Sequence, residues 1–165
     1  HGISLIGDIP IYVALDSADV WANTEQFQLD HDLQPVCVAG CPPDAFSDYG
    51  QKWGNPLYDW DRMEQDGFSW WKNRIRKSAS LYDVIRIDHF RGFDTYWAVP
   101  YGEKTAKIGQ WKHGPGMDLV GLLKKTFPKL LFIFSADDPY PHPCAPAGNR
   151  IPRFGQFCCT ALLQW

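Results

Sequence analysis

No stretch of this sequence approaches the roughly 20 consecutive apolar residues that a membrane span needs. The longest apolar run, around Leu130–Phe134, suits a buried strand instead, and no membrane partner is expected. Positive charge is also short. Sixteen Lys and Arg face 19 Asp and Glu, and a net charge of -3 leaves no basic footprint for nucleic acid. With 45% hydrophobic and 21% charged residues the composition is globular, which excludes a disordered chain. Cysteine is sparse, at positions 37, 41, 144, 158 and 159. Cys37 and Cys41 have a metal-like spacing, but no CxxC pair and no histidine partner completes a zinc set. Neither a structural metal nor a disulfide framework is expected. The odd count, without a secretory segment, points to reduced thiols and a cytoplasmic setting. The sequence opens at His1, with neither Met nor a signal-peptide pattern, and reads as an interior piece or a processed product.

Aromatic residues are what the chain has in quantity: 15% of it, with eight tryptophans. Trp53, Tyr58, Trp60, Trp70, Trp71, Trp97 and Trp111 lie in polar, glycine-rich surroundings. A flat ring with a polar edge matches the apolar face and hydroxyl rim of a sugar, although packing is the commoner use of any single tryptophan.

Strands and helices alternate along the chain. The β-branched run "ISLIGDIPIYV" (3–13) predicts a buried strand, followed by a short helical turn capped by Asp16 or Ser17. From Asn23 to Pro56 the composition is loop-like, and a structureless loop of that length is uncommon unless it is functional. Residues 63–83 predict one helix, with Trp71, Ile75 and Ala79 four apart on its apolar side. "DVIRID" predicts a second strand, residues 90–116 a second loop, "MDLVGLLKKTFP" a helix stopped by Pro128, and "LLFIFSADD" a third strand. This βαβ rhythm points to an α/β fold with a parallel sheet. Strands separated by such long insertions fit a partial (β/α)8 TIM barrel, about three consecutive strands with long βα loops, better than a doubly wound sheet. Chemistry in such barrels gathers at strand ends, and these strands end in Asp8, Asp88, and Asp137 with Asp138.

"DVIRIDHFRG" (83–92) concentrates two arginines, two aspartates and a histidine. Strand alternation sends Val84, Arg86 and Asp88 to one face and Ile85 and Ile87 to the other. Arg86 beside Asp88 favours the charged carboxylate, as a carboxylate nucleophile requires, and His89 just beyond could donate to a sugar hydroxyl. On spacing alone, a purely architectural ion pair is equally good.

Four blocks carry a resemblance: "GDIPIYVALDSADVWA", "VAGCPPDAFSDYGQKWGNPLYDW", "RIDHFRGFDTYWAVP" and "GQWKHGPG". Together they resemble bacterial 4-alpha-glucanotransferases, or amylomaltases, of the alpha-amylase superfamily, from residue 1 to about 135. The resemblance implies that residues 1–135 are the central portion of a catalytic (β/α)8 barrel. It implies Asp88 as the nucleophile, Arg86 as the arginine that holds it ionised, and His89 and Asp8 as sugar-site residues. It also implies Phe46, Trp53, Asn55 and Tyr58 as glucan contacts on a long acceptor-side loop. The expected reaction is transfer of 1,4-alpha-glucan segments to the 4-hydroxyl of glucose or a maltodextrin, by retaining double displacement without any cofactor.

The chain departs from the family in three places. Ala45 stands where a member of the family has tyrosine beside Phe46. "SADDPY" replaces the family's "AEDLG", so Asp137 occupies the position of the acid/base glutamate. Residues 136–165 form a divergent tail, rich in proline and cysteine, for which a reading-frame error or aberrant terminus is the expectation. An isolated piece holding three barrel strands is expected to be inactive and poorly folded, because its edges stay open. The alternatives to a transferase are an alpha-amylase-type hydrolase and a glucan-binding fragment without turnover.

Overall fold

A computed structural model describes residues 2–135 and the short strand at 161–163. In chain order the elements are β1 (Ile6–Pro10), α1 (Ala18–Ala22), β2 (Cys37–Cys41), β3 (Gln51–Pro56), α2 (Trp60–Gln65), α3 (Ser69–Ala79), β4 (Val84–Asp88), β5 (Thr95–Pro100), β6 (Gln110–His113), α4 (Gly116–Thr126), β7 (Leu131–Phe134) and β8 (Ala161–Leu163). Single 3-10 turns lie at Thr24–Gln26 and Phe90–Phe93. The chain forms two compact units, with breaks at Ile11/Tyr12, Ser69/Trp70, Asp94/Thr95 and Gly114/Pro115.

The first unit holds a sheet in the order β1-β4-β7-β8. β4 pairs in parallel with β1 and with β7, while β8 runs antiparallel on β7. α3 precedes β4 and α4 precedes β7, which is the βαβ rhythm expected from the sequence. Ile85 and Ile87 are fully buried, whereas Arg86 and Asp88 are half-buried, as period-2 alternation requires. α3 buries Trp71 and Ile75, one helical turn apart. Its Arg74 guanidinium lies over the Trp70 and Trp71 rings, 5.2 and 5.1 Å from their centroids, and donates to the Ile11 carbonyl at 3.3 Å.

Two predicted elements differ in this unit. β1 is shorter than the run 3–13, and Ile3, Leu5 and Ile6 are exposed, because β1 is the outer strand of the sheet among the described residues. The single helix predicted over 63–83 is two helices. Gly67 (φ 69) and Phe68 (φ 55) take left-handed backbone, and that ends α2 before α3 begins.

The second unit is an antiparallel sheet in the order β3-β2-β5-β6. It occupies the segments 23–56 and 90–116, which sequence composition marks as loops. The physical reason lies in β2, where Cys37, Val38, Ala39 and Gly40 are all buried, so no alternation is written into the sequence. Gly40 is needed for close approach, since a Cβ there would stand 2.3 Å from the Gln51 carbonyl oxygen. The extended backbone also separates Cys37 from Cys41 by about 13 Å, which removes their metal-like spacing. Of the two predicted caps, Asp16 and Ser17, it is Ser17 that caps α1, accepting the Val20 amide at 3.3 Å.

Two predictions follow from this packing. Gly40→Ala must displace backbone rather than a flexible side chain, and is expected to cost about 1–3 kcal/mol in urea denaturation of the intact protein. Asp66 supplies the second. Burial raises its carboxyl, but hydrogen bonds from the Ser69 amide and hydroxyl and from Gln26, with Arg62 nearby, outweigh burial and hold it below the ordinary 3.8. A carboxyl more acidic folded than unfolded adds stability above its unfolded value, and that stability is lost as pH falls through the folded one. Asp66→Asn should therefore lower the urea midpoint at pH 7, with the gap to the parent narrowing below about pH 4.

Candidate active site

The charged centre forms at the sheet of the first unit, and its geometry comes from strand register. Asp8 on β1 is level with Arg86 on β4, and Pro10 is level with Asp88. In a parallel pair, level positions place side chains on the same face. Arg86 therefore lies between two carboxylates. Its Nη1 donates to Asp8 Oδ2 and its Nη2 to Asp88 Oδ1, each at 2.9 Å. The planar fork suits this task because its two amino ends diverge, where an ammonium would present one point charge. Asp8 is thus at mid-strand, not at the strand end expected for it, while Asp88 is the last residue of β4.

His89 follows in left-handed conformation (φ 51, ψ 42), an uncommon state for a residue with a side chain. That turn ends β4 sharply and starts the 3-10 turn Phe90–Phe93. The Phe90 amide donates to the Ser135 carbonyl at 3.0 Å, and Phe90 stacks on Phe134 with ring centroids 3.9 Å apart. Left-handed backbone held in place by its surroundings is the kind of local strain that collects at functional sites.

Sequence reasoning missed Ser135. Its Oγ donates to Asp88 Oδ1 at 2.6 Å, joining Arg86 on that same oxygen. The signal was present but could not be used alone: Ile87 is level with Phe134, so the next residue of each strand is level too. Asp137 lies outside the described residues.

The remaining candidates lie in the second unit. Phe46 is 91% exposed at the tip of a turn that Asp44 ties by accepting the amides of Phe46 and Ser47 at 2.8 Å each. Trp53 is partly exposed, with its ring 6.3 Å from that of Tyr12 and its indole nitrogen donating to Gln51 at 3.1 Å. Asn55 commits its amide to the Val13 carbonyl at 2.9 Å. Tyr58 is fully buried, packed between Tyr12, Phe27 and Trp60, so here its ring supports other aromatics from within the core. Burial pushes the Tyr12 phenol well above its ordinary range, and Tyr58, Tyr96 and Cys41 add to that shift. Tyr12 is therefore a neutral packing ring at any physiological pH.

Chemically, the first unit presents an accessible carboxylate at a strand end, neutralised on one oxygen and steadied by a serine. In this chain the side chains of Asp8, Arg86 and Asp88 are 59%, 38% and 40% exposed. At such exposure an ion pair adds about 0–1 kcal/mol. A double-mutant cycle with Asp8→Asn and Arg86→Gln in urea denaturation should give coupling of about 1 kcal/mol or less. Coupling of about 3 kcal/mol or more would make the pair architectural.

Comparison with known proteins places this geometry in a family. A family model described as "4-alpha-glucanotransferase" matches residues 1–138. The 4-alpha-glucanotransferase of Clostridium butyricum is 57% identical over 124 residues, which cover 74% of this chain and 26% of that protein. The potato relative, named "4-alpha-glucanotransferase, chloroplastic/amyloplastic", is 55% identical over 132 residues, 80% of this chain and 23% of its own length. Among solved structures, amylomaltase from Streptococcus agalactiae in complex with acarbose aligns with a TM-score of 0.81 at 44% identity, covering 86% of this chain and 28% of that one. The chain spans about a quarter of the length of the curated relatives it matches. With a family model over residues 1–138, this chain belongs to the 4-alpha-glucanotransferase family.

Proposed function

We propose that this chain carries the nucleophile half of a retaining 4-alpha-glucanotransferase. Residues 1–135 are the central portion of a (β/α)8 barrel in which β1, β4 and β7 are three consecutive strands, and the family match runs on to residue 138. The observation that carries the reading is the placement of Asp88: the last residue of β4, with one oxygen held by Arg86 and the side chain still 40% exposed.

In the first half-reaction an Asp88 oxygen attacks C1 of a glucosyl unit and forms a C1–O ester. The glycosidic C1–O4 bond breaks, its electron pair passes to the departing O4, and an acid protonates that oxygen. By the family resemblance the acid is at Asp137. In the second half-reaction an acceptor 4-hydroxyl attacks the same carbon and gives its proton to the base just created. The ester breaks and Asp88 returns as a carboxylate. Arg86 offsets the charge that Asp88 regains as the ester leaves, while His89 and Asp8 engage sugar hydroxyls. Phe46 and Trp53, on the resemblance, are the aromatic surfaces that meet the glucan, with Asn55 and Tyr58 holding their strand and packing in place.

The substrate class is 1,4-alpha-glucans, with glucose or a maltodextrin as acceptor. No helix among the described residues is long and apolar enough to cross a membrane. The cytoplasm, inferred from cysteine use, is the proposed compartment.

Incubating the intact protein with maltotriose should yield glucose together with longer oligosaccharides at a constant number of reducing ends. A rising number of reducing ends without longer products would identify a hydrolase. Asp88→Asn should lower the transfer rate by at least about 1,000-fold, and loss of turnover with retained glucan affinity is the expected pattern.

A further inference from the structure

We propose that Ser135 is a positioning residue for the Asp88 nucleophile, fixing which carboxylate oxygen attacks; this rests on the retaining mechanism given above. Three observations carry it. The first is convergence: Arg86 Nη2 at 2.9 Å and Ser135 Oγ at 2.6 Å both donate to Asp88 Oδ1. Among the described residues no donor engages Oδ2, so that oxygen is the one left to form the ester.

The second observation is that the hydroxyl is not needed to dock its own strand. Ser135 is already fastened by its backbone, its amide donating to the Ile87 carbonyl at 3.1 Å and its carbonyl accepting the Phe90 amide at 3.0 Å. Those two bonds bracket Asp88 in sequence and fix the serine's height beside it. Serine hydroxyls usually satisfy nearby backbone, whereas this one reaches a carboxylate 47 positions away.

The third is the anchoring of the other donor. The Nη1 of Arg86 donates in turn to Asp8 on β1. Asp88 is therefore held by Arg86 of its own strand, with Asp8 of β1 behind it, and by Ser135, the residue just past β7. Turning the carboxylate about its terminal bond would break both contacts to Oδ1 at once. Holding a reacting oxygen in one direction before substrate arrives is how proteins lower the cost of reaching attack geometry.

The test isolates the attack step. In alpha-maltosyl fluoride the leaving fluoride needs no proton, so the general acid drops out of the measurement. Fluoride release is followed under single-turnover conditions, with the intact protein in excess and its concentration varied. The maximal rate reads attack by Asp88. The half-saturating concentration rises when binding weakens or only part of the protein is folded. Ser135→Ala should lower the maximal rate about 10- to 100-fold with little change in half-saturation. Ser135→Thr, which keeps the hydroxyl, should recover most of that loss. An unchanged maximal rate in Ser135→Ala would overturn the proposal, as would a change confined to half-saturation, which would make the serine a folding residue. Failure of the underlying mechanism looks different: Asp88→Asn would then still release fluoride at the parental rate.

Discussion

The guanidinium of Arg86 is one cation shared by two carboxylates on adjacent strands, 2.9 Å from each. The rest of the first unit can be understood as what keeps that arrangement in place. Its distances depend on β1 and β4 pairing in parallel with Asp8 level with Arg86. A slip of one residue would send every charge to the opposite face, toward positions now filled by Ile85 and Ile87. The two buried isoleucines therefore act on the site without touching it, because their burial determines which register has the lowest energy. Arg74, lying across two indoles and bonded to the Ile11 carbonyl, fastens α3 to the chain just beyond β1.

The second unit solves a different problem with different means. Its aromatic rings are divided between an exposed turn and a buried layer. Asp44 spends one carboxylate oxygen on two backbone amides and leaves Phe46 almost wholly exposed. Tyr12 and Tyr58 stack with centroids 5.9 Å apart, and Trp53 leans on Tyr12.

What was legible in the sequence followed the clarity of each local pattern. The alternation in "DVIRID" was unambiguous, and β4 has the predicted faces. The capping serine of α1 and the stop of α4 before Pro128 were equally local, and both are present. The antiparallel sheet escaped notice because β2 is buried on both faces and its residues are small, so "VAGC" reads like a loop. The break between α2 and α3 was hidden for the opposite reason. A helical period continues on both sides, and only the positive φ angles at Gly67 and Phe68 interrupt it. Pattern alone assigned no roles; those proposed for Asp88, Arg86, Phe46 and Trp53 come from the family resemblance.

By itself the sequence determined the class of fold, the faces of the central strand, and the proximity of Arg86 to Asp88, because each depends on periodicity within a few residues. Only the tertiary structure decided which oxygen of Asp88 is held, that Asp8 shares the arginine, and that Ser135 joins them. Those contacts link positions 47 and 78 residues apart. They exist only after three strands have chosen their register, and that choice is made by burial across the whole sheet.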